Sequence, residues 1–192
     1  MTTKEQKREM IINAALKVFS QKGVNSSTIE DISRQAEIGK GTVYEYFESK
    51  KSLFQEMIKV CVHRYAEVVK RSLSEEGTLR VKLKNFLRQH IKFLNENIDI
   101  FFSAAGVDFI SEDIKQWIMN EKRIIFSHIE DTMNEAVKNG EIRESVDIEL
   151  AAFCLLGTAN MYGGSRVLDN ISDINDSELD SIVDIIVEGI GN

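Results

Sequence analysis

The first feature of the sequence is an absence: its 192 residues contain no proline. Proline interrupts helices more strongly than any other residue, so its absence favours long, uninterrupted helices. No apolar run reaches the roughly 18 residues that a membrane span needs, and the amino-terminal residues lack the apolar core of a signal peptide. We therefore expect a cytoplasmic protein that has no contact with a membrane.

Cysteine and histidine are scarce as well. Cys61 and Cys154 lie far apart and match no ligand or redox spacing, so we expect two buried, reduced thiols. The three histidines, His63, His90 and His128, fit no metal-binding spacing, and neither a Ser/His/Asp set nor a phosphate loop is apparent. The sequence therefore predicts no catalytic residue, no metal site and no cofactor, and it argues against an enzyme.

Net positive charge, which a DNA-binding protein would be expected to carry, is also missing: the chain has a net charge of −7. Its distribution is uneven, because residues 1–50 hold eight basic and seven acidic side chains while residues 141–192 hold two and eleven. The acidity thus belongs to the last quarter of the chain. The amino-terminal part remains free to meet phosphate groups locally.

Alternation with the period of a β-strand is absent, and the apolar residues recur at helical spacing instead. We predict an all-α fold of about nine helices. Thr2 to Gln6 offer a capping box for a first helix that ends near Gly23, and Ser27-Thr28-Ile29-Glu30 offers a second box for a short helix. A tight turn and the stretch from Gly39 to Phe47 follow. This order of helix, short helix, turn and short helix is a helix-turn-helix.

The stretch from Gly39 to Phe47 has two different faces when it is wound as an α-helix. Val43 and Phe47, four residues apart, fall on one side and can anchor in a core. The opposite side carries small, hydroxyl, aromatic and acidic residues, with two flanking positions: Gly41, Thr42, Tyr44 and Glu45, flanked by Lys40 and Tyr46. Such a face suits a DNA groove, because the glycines permit a close approach to another backbone.

The rest of the chain predicts longer helices. We expect helices at 50–73 and 78–95, a short apolar segment at 98–107, and a helix of about 28 residues after Ser111. Residues 147–168 are apolar nearly all round, which predicts burial in a core or against a partner. A last helix spans 178–190. We divide the chain into a DNA-binding domain, 1–48, and a helical domain for ligand binding and dimerisation, 49–192.

Over roughly residues 8–58 the chain resembles the TetR family of bacterial transcription regulators. The resemblance includes Ile12 to Phe19, Gly23, Thr28-Ile29, Ile32, Ala36, Gly39 to Phe47, Ser49-Lys50 and Leu53-Phe54. One departure is Glu37, at a turn position that is often glycine in the family, where a non-glycine residue needs a slightly strained turn. By resemblance, the residues that contact double-stranded operator DNA are Thr28, Lys40, Gly41, Thr42, Tyr44, Glu45, Tyr46 and Lys50. The alternative is that these residues have structural roles only. Thr28 would then be a helix cap, the lysines would be solvated, and the tyrosines would be half-buried core residues.

The resemblance implies a homodimer, because one short recognition helix reads too few base pairs and two on a two-fold axis read a pseudo-palindrome. It also implies a repressor that leaves its operator when an unknown small-molecule effector enters the carboxy-terminal domain. The helices at 147–168 and 178–190 are the candidates for the dimer interface. The candidate ligand contacts are Phe86, His90, Phe93, Phe101, Phe102, Trp117 and Tyr162. Most of these are expected to be ordinary core, and a histidine on an apolar stripe is more often a satisfied core residue.

Two other function classes compete with this interpretation. One is a helical enzyme or sensor that merely contains a helix-turn-helix, which the missing catalytic constellation disfavours. The other is a DNA-binding dimer that has no ligand and responds to a protein partner. Thermal shifts against a metabolite library would separate ligand control from partner control, because a ligand that binds only the native state raises the melting temperature.

Overall fold

The computed structural model describes residues 3–105, 110–169, 171 and 173–190, apart from the side chains of residues 98–105. These residues form eight α-helices and no β-strand, which confirms the all-α prediction. None of the described helices is both long enough and apolar enough to cross a membrane. The helices are α1 Lys4–Lys22, α2 Ile29–Gln35, α3 Lys40–Tyr46, α4 Lys50–Leu73, α5 Leu79–Ala105, α6 Glu112–Lys138, α7 Ile148–Leu168 and α8 Asp176–Ile190.

The difference between eight helices and the predicted nine lies in α5. The sequence suggested a helix at 78–95 and a separate segment at 98–107, but α5 continues without a break through Asn95-Glu96-Asn97. Glutamate is a good helix former, asparagine is only modestly unfavourable, and no glycine or proline stands there to end the helix. A polar stretch alone was therefore too weak a signal for a helix end.

The helix caps follow the sequence closely. Thr3 and Gln6 form the first capping box, since the Thr3 hydroxyl accepts from the Gln6 amide at 3.2 Å and the Gln6 side chain accepts from the Thr3 amide. The second box lies one residue later than predicted, between Thr28 and Asp31. The Ser27 hydroxyl is not available as a cap because it is buried and donates to the Gly23 carbonyl at 2.6 Å.

The chain divides into two compact units, each with its own hydrophobic core. The first comprises the described residues of Met1–Val62 and Asn97–Ile118, and the second those of His63–Glu96 and Met119–Asn192. The first core is centred on Phe19, Phe54 and Met57 and the second on Phe86, Leu87 and Ile129. The predicted domain boundary between residues 48 and 49 stays a prediction.

A ladder of ion pairs joins α5 to α8 within the second unit. Basic residues four apart on α5 face aspartates four apart on α8, in antiparallel order: Arg80 with Asp184, Lys84 with Asp180, and Arg88 with Asp176. The hydrogen bond from Arg88 lowers the pKa of Asp176 below its usual range. Part of the carboxy-terminal acidity is therefore neutralised within this unit.

Candidate functional site

Helix α3, the predicted recognition helix, is anchored in the first unit by two side chains. Val43 is completely buried and Phe47, directly after the helix, is buried as well. Both belong to the core that α1 and the first part of α4 also build. The side of α3 that was predicted to face the core, with Val43 and Phe47, is therefore the side that is buried in the structure.

The opposite face of α3 is open to solvent. Lys40, Gly41 and Glu45 are exposed, and the Tyr44 side chain, an unusually large apolar surface for an outer face, is 48% exposed. Thr42 and Tyr46 are half-buried at the edges of this face, and Tyr46 packs against the core. The structure thus places all six residues that the sequence assigned to the outer side of this helix on or beside one surface. We name this surface, residues 40–42 and 44–46, the α3 face.

Gly41 is the residue of the α3 face whose identity the protein's own packing does not explain. A Cβ atom built on Gly41 meets nothing within 4 Å, and its backbone has no positive φ. Glycine within a helix costs about 0.5–1 kcal/mol relative to alanine. A residue with this cost and no internal steric reason is consistent with space kept for an external partner.

The turn between α2 and α3 carries the strain that the sequence suggested. Glu37 has φ of 54°, and among the described residues it is the one non-glycine with a positive φ. The Glu37 amide donates to the Arg34 carbonyl at 3.2 Å and the Ile38 amide to the Ser33 carbonyl at 3.0 Å. A left-handed conformation costs a non-glycine residue about 1–2 kcal/mol, and these hydrogen bonds with the surrounding core hold it in place.

Thr28, the predicted phosphate contact before α2, is exposed but engaged locally. Its hydroxyl lies 2.8 Å from the Asp31 carboxylate, which also accepts from the Thr28 amide and pairs with Lys22 at 2.6 Å. These partners, first Lys22 and then Thr28, lower the pKa of Asp31 to about 2. The structural role of Thr28 as the cap of α2 is therefore established. Its contact with DNA stays a prediction.

Lys50, the other predicted backbone contact, is the first residue of α4 and points back towards the loop after α1. Its ammonium group donates to the carbonyl oxygens of Val24, Asn25 and Ser27 at 2.9, 3.2 and 2.9 Å. The sequence offered no signal for this arrangement, because the partners are backbone atoms more than 20 residues away. The predicted contact of Lys50 with DNA also stays a prediction.

His90 lies in the second unit and is almost fully buried, with 3% of its surface exposed. Its Nδ1 atom is 2.7 Å from the Tyr65 hydroxyl, and the rings of Phe86 and Phe93 pack against this pair. Burial lowers the pKa of His90 to about 4, so the ring is neutral at pH 7. Nε2 is buried without a hydrogen-bond partner among the described atoms. His90 is thus a core histidine with only one satisfied nitrogen.

The remaining predicted ligand residues do not form one cluster in the described structure. Tyr162 donates to the carboxylate of Glu178 and lies beside the buried Arg166, which joins α7 to α8. Trp117 is half-buried and belongs to the first unit. The side chains of Phe101 and Phe102 lie outside the described residues.

Two grooves are found elsewhere on the described surface. One lies in the first unit, between α1 and the turn after α2, and the other lies in the second unit, beside the turn before α5. Neither is lined by any of the seven predicted ligand residues.

Helix α7 has one face in the core of the second unit and one face in solvent. The inner face holds small residues, and a Cβ atom on Gly163 would come within 2.8 Å of Leu94 on α5. The outer face carries four exposed large apolar side chains together with a cysteine: Leu150, Phe153, Met161, Leu168 and Cys154. The prediction that both cysteines are buried is therefore wrong for Cys154, because it lies on the face that the protomer does not cover. We name this surface the α7 outer face.

Comparison with known proteins agrees with this arrangement. The family model described as "Bacterial regulatory proteins, tetR family" matches residues 11–57, which run from α1 into α4. The whole chain is 25% identical to the whole of the fatty acid metabolism regulator protein of Bacillus subtilis (strain 168). It is 26% identical to the HTH-type transcriptional repressor KstR2 of Rhodococcus jostii (strain RHA1), over 88% of this chain and 87% of the relative.

Comparison of the fold with solved structures finds the same kind of protein as the sequence comparison. The crystal structure of the transcriptional regulator FadR from Bacillus subtilis, in complex with stearoyl-CoA, superposes with a TM-score of 0.76 at 22% identity. The superposition covers 95% of this chain and 98% of that one. The matched residues hold the helix-turn-helix, and the remaining helices follow the same architecture. The chain therefore belongs to the TetR family of bacterial transcriptional regulators.

Proposed function

We propose that this regulator is a homodimeric repressor whose two α3 faces read a pseudo-palindromic operator, and whose affinity for DNA falls when a small molecule binds. The observation that carries the proposal is the division of α3 into a buried side and an exposed side. Val43 and Phe47 hold the helix rigidly, so Tyr44 and Glu45 are presented from a fixed frame. Footprinting on DNA from the regulator's own promoter region tests the proposal: two protected half-sites about one helical turn apart are expected.

The proposed contacts with DNA fall into two groups. Residues on the α3 face, Gly41, Thr42, Tyr44 and Glu45, meet the major groove, and Lys40, Tyr46, Thr28 and Lys50 flank it near the phosphates. Phosphate contacts fix the register on the duplex, whereas contacts with base edges carry the sequence information. The division gives each group a different signature in a binding experiment, because only phosphate contacts change the dependence on salt.

Glu45 is the residue of the α3 face with the most specific expected effect. The phosphate groups of DNA repel a carboxylate, which weakens binding to any sequence. A carboxylate can nevertheless accept a hydrogen bond from the amino group of cytosine in the major groove. We expect Glu45→Ala to relax the preference at one position of each half-site, with discrimination there falling by about 1–3 kcal/mol. Selection of binding sites from a random pool, with wild type and variant in parallel, measures this change.

Lys40→Ala is the matched control for Glu45→Ala, because Lys40 is exposed on the same helix. It should weaken binding to all sequences alike and reduce the salt slope by about one phosphate contact. If wild type and Glu45→Ala select the same motif, Glu45 does not read a base. Tighter binding of Glu45→Ala to every sequence would assign the carboxylate a purely electrostatic role.

We propose a long-chain acyl thioester, such as an acyl-CoA, as the effector. The support is the full-length similarity to the fatty acid metabolism regulator of Bacillus subtilis. The second unit of this chain also offers suitable chemistry, since His90 has an unsatisfied nitrogen within apolar surroundings. A neutral imidazole pairs with an uncharged carbonyl group more readily than with a carboxylate, which would have to lose its hydration without gaining a counter-charge.

Titrating the protein–operator complex with stearoyl-CoA tests the effector. We expect operator affinity to fall at least about tenfold, which corresponds to about 1.4 kcal/mol of coupling, while free CoA and stearate have little effect. His90→Phe should bind DNA normally and respond weakly, whereas the exposed His63→Phe should respond like wild type. Normal DNA binding with no response to any acyl-CoA would overturn the effector and leave the DNA-binding function standing. Control by a protein partner would then be the remaining explanation.

The proposed dimer forms through the α7 outer face and the neighbouring part of α8, where Ile185 is 74% exposed. Exposed apolar patches of this kind on a water-soluble unit mark interaction surfaces. A second copy of the chain is the occupant that two half-sites require, because an isologous interface places the two α3 faces about a two-fold axis. This interface also accounts for the apolar character of residues 147–168, which one protomer covers only on one side.

A further inference from the structure

Tyr65 and His90 form a hydrogen-bonded pair inside the second unit. The Tyr65 hydroxyl on α4 lies 2.7 Å from Nδ1 of His90 on α5. Aromatic rings surround the pair, because Phe93 packs on Tyr65 with ring centroids 5.0 Å apart and Phe86 packs on His90 at 5.6 Å. Nε2, the second ring nitrogen of His90, is covered and has no hydrogen-bond partner among the described atoms. The pair thus leaves one polar atom unpaired within an apolar environment.

The direction of the hydrogen bond between the two side chains decides what Nε2 can bind. A neutral imidazole carries its proton on one nitrogen only, and burial, which lowers the pKa of His90 to about 4, keeps the ring neutral at pH 7. With the proton on Nδ1, the ring donates to Tyr65. The Tyr65 O–H, which has no other hydrogen bond among the described residues, and the Nε2 lone pair are then both left unpaired.

The opposite direction leaves fewer unpaired atoms. If the Tyr65 hydroxyl donates to Nδ1, the proton of His90 is on Nε2, and this N–H is the one donor of the pair without a partner. Burial raises the pKa of the Tyr65 hydroxyl, so it keeps the proton that it donates. Each buried polar atom without a partner is destabilising, so the arrangement with one such atom is favoured over the arrangement with two.

We infer that Tyr65 is a positioning residue for effector recognition: it holds His90 in the form protonated at Nε2, so that this N–H donates to the carbonyl oxygen of an acyl thioester. The inference rests on the proposed effector and names the atom that recognises the thioester and the residue that prepares it. Nε2 is covered in the ligand-free protein, so the carbonyl group reaches it only when the acyl chain displaces the apolar side chains around it. A ligand of the same shape without an acceptor leaves the N–H unpaired.

The experiment compares two ligands that differ only at the acceptor. Stearoyl-CoA has a thioester carbonyl group, whereas S-octadecyl-CoA is a thioether with the same chain length and a CH₂ group in place of the carbonyl. The measured quantity is the concentration of each ligand that releases half of the operator DNA. For wild type we expect the thioether to require at least about tenfold more ligand, because it leaves a buried donor without its partner.

Tyr65→Phe removes the hydroxyl and keeps the ring that packs on Phe93. The variant should need more stearoyl-CoA and about the same amount of thioether, so that the ratio between the two ligands falls below about threefold. Phe86→Leu is the matched control, because it changes the packing on His90 without removing a hydrogen bond. It should shift the response to both ligands alike and keep the wild-type ratio. A merely structural role of Tyr65 predicts this same uniform shift.

Nitrogen NMR of the histidine rings measures the tautomer directly, since the protonated and unprotonated nitrogens of a neutral imidazole resonate far apart. The signals of His90 are those that disappear in His90→Phe. We expect the ligand-free wild type to carry the His90 proton on Nε2.

Three results would overturn the inference. The first is a wild-type spectrum with the His90 proton on Nδ1. The second is an equal response of wild type to both ligands, which would leave the acyl chain as the recognised feature and the proposed effector standing. The third is a uniform shift for Tyr65→Phe, which assigns Tyr65 to packing. If this variant does not fold, the spectrum and the ligand ratio of wild type decide the question. No response of wild type to either ligand is a separate result, which removes the proposed effector and the inference with it.

Discussion

Replacing Met161 by glutamate is expected to convert the dimer into monomers at micromolar concentration. Met161 is 76% exposed near the middle of the α7 outer face, so a carboxylate there is fully hydrated in the protomer and costs its fold little. In the dimer the same carboxylate would be buried together with its symmetry mate, and the desolvation of each charge would cost several kcal/mol. We expect the dimer dissociation constant to rise at least about 1,000-fold, or about 4 kcal/mol.

Met119→Glu is the matched control, because Met119 is 59% exposed on α6 and carries the same side chain. Sedimentation velocity should find a dimer for wild type and Met119→Glu and a monomer for Met161→Glu, with unchanged helix content in all three. Operator affinity of the monomer should collapse, since one α3 face then binds a half-site alone. A dimeric Met161→Glu would place the interface elsewhere, and a monomeric wild type would exclude a stable dimer.

The orientation of α3 could be predicted from the sequence because two local rules agree there. Val43 and Phe47 are one helical turn apart, and the intervening residues are ones that a core does not require. The cap at Thr3 was readable for the same reason, since a capping interaction spans only three residues. Local chemistry of this kind needs no knowledge of the tertiary structure.

The same reasoning could not divide α7 into its two faces. Apolar residues on nearly all sides of a helix predict burial but do not say which side faces the core, so Leu155 in the core and Met161 in solvent look alike in the sequence. Helix α8 illustrates the same limit: Ile186 lies in the protomer core, whereas its neighbour Ile185 is exposed. A charged substitution at Ile186 would therefore damage the fold before it reported on the interface.

Long-range polar contacts were beyond the sequence for a different reason. The pairing of Tyr65 with His90 and the ladder between α5 and α8 depend on the register of packed helices, which no local pattern specifies. The bonds of Lys50 are less accessible still, because their acceptors are carbonyl groups that every residue possesses. The sequence therefore gives no sign that a lysine at the start of a helix also donates to the backbone of a distant loop.

Substitutions of Gly41 are expected to change stability and DNA binding in opposite directions: the protein becomes more stable and its operator affinity falls. Because a Cβ atom at Gly41 meets nothing within 4 Å, Gly41→Ala should stabilise the protein, by about 0.5–1 kcal/mol from the helix preference of alanine. The same methyl group would stand on the α3 face, where the proposed fit to the groove requires a close approach of backbones. Thermal unfolding and operator binding of one protein preparation measure both changes.

Gly41→Leu extends this series and gives the decisive contrast. Gly41 is exposed and a Cβ atom there meets nothing within 4 Å, so we expect the leucine side chain to extend into solvent and the melting temperature to stay at or above the wild-type value. Operator affinity should fall at least about 100-fold, or about 2.8 kcal/mol, because the side chain holds α3 away from the base edges. Gln21→Leu adds the same side chain to an exposed position of α1 and should leave binding unchanged. If Gly41→Leu binds the operator like wild type, the open space above Gly41 is not used by DNA and the α3 face is not the reading surface.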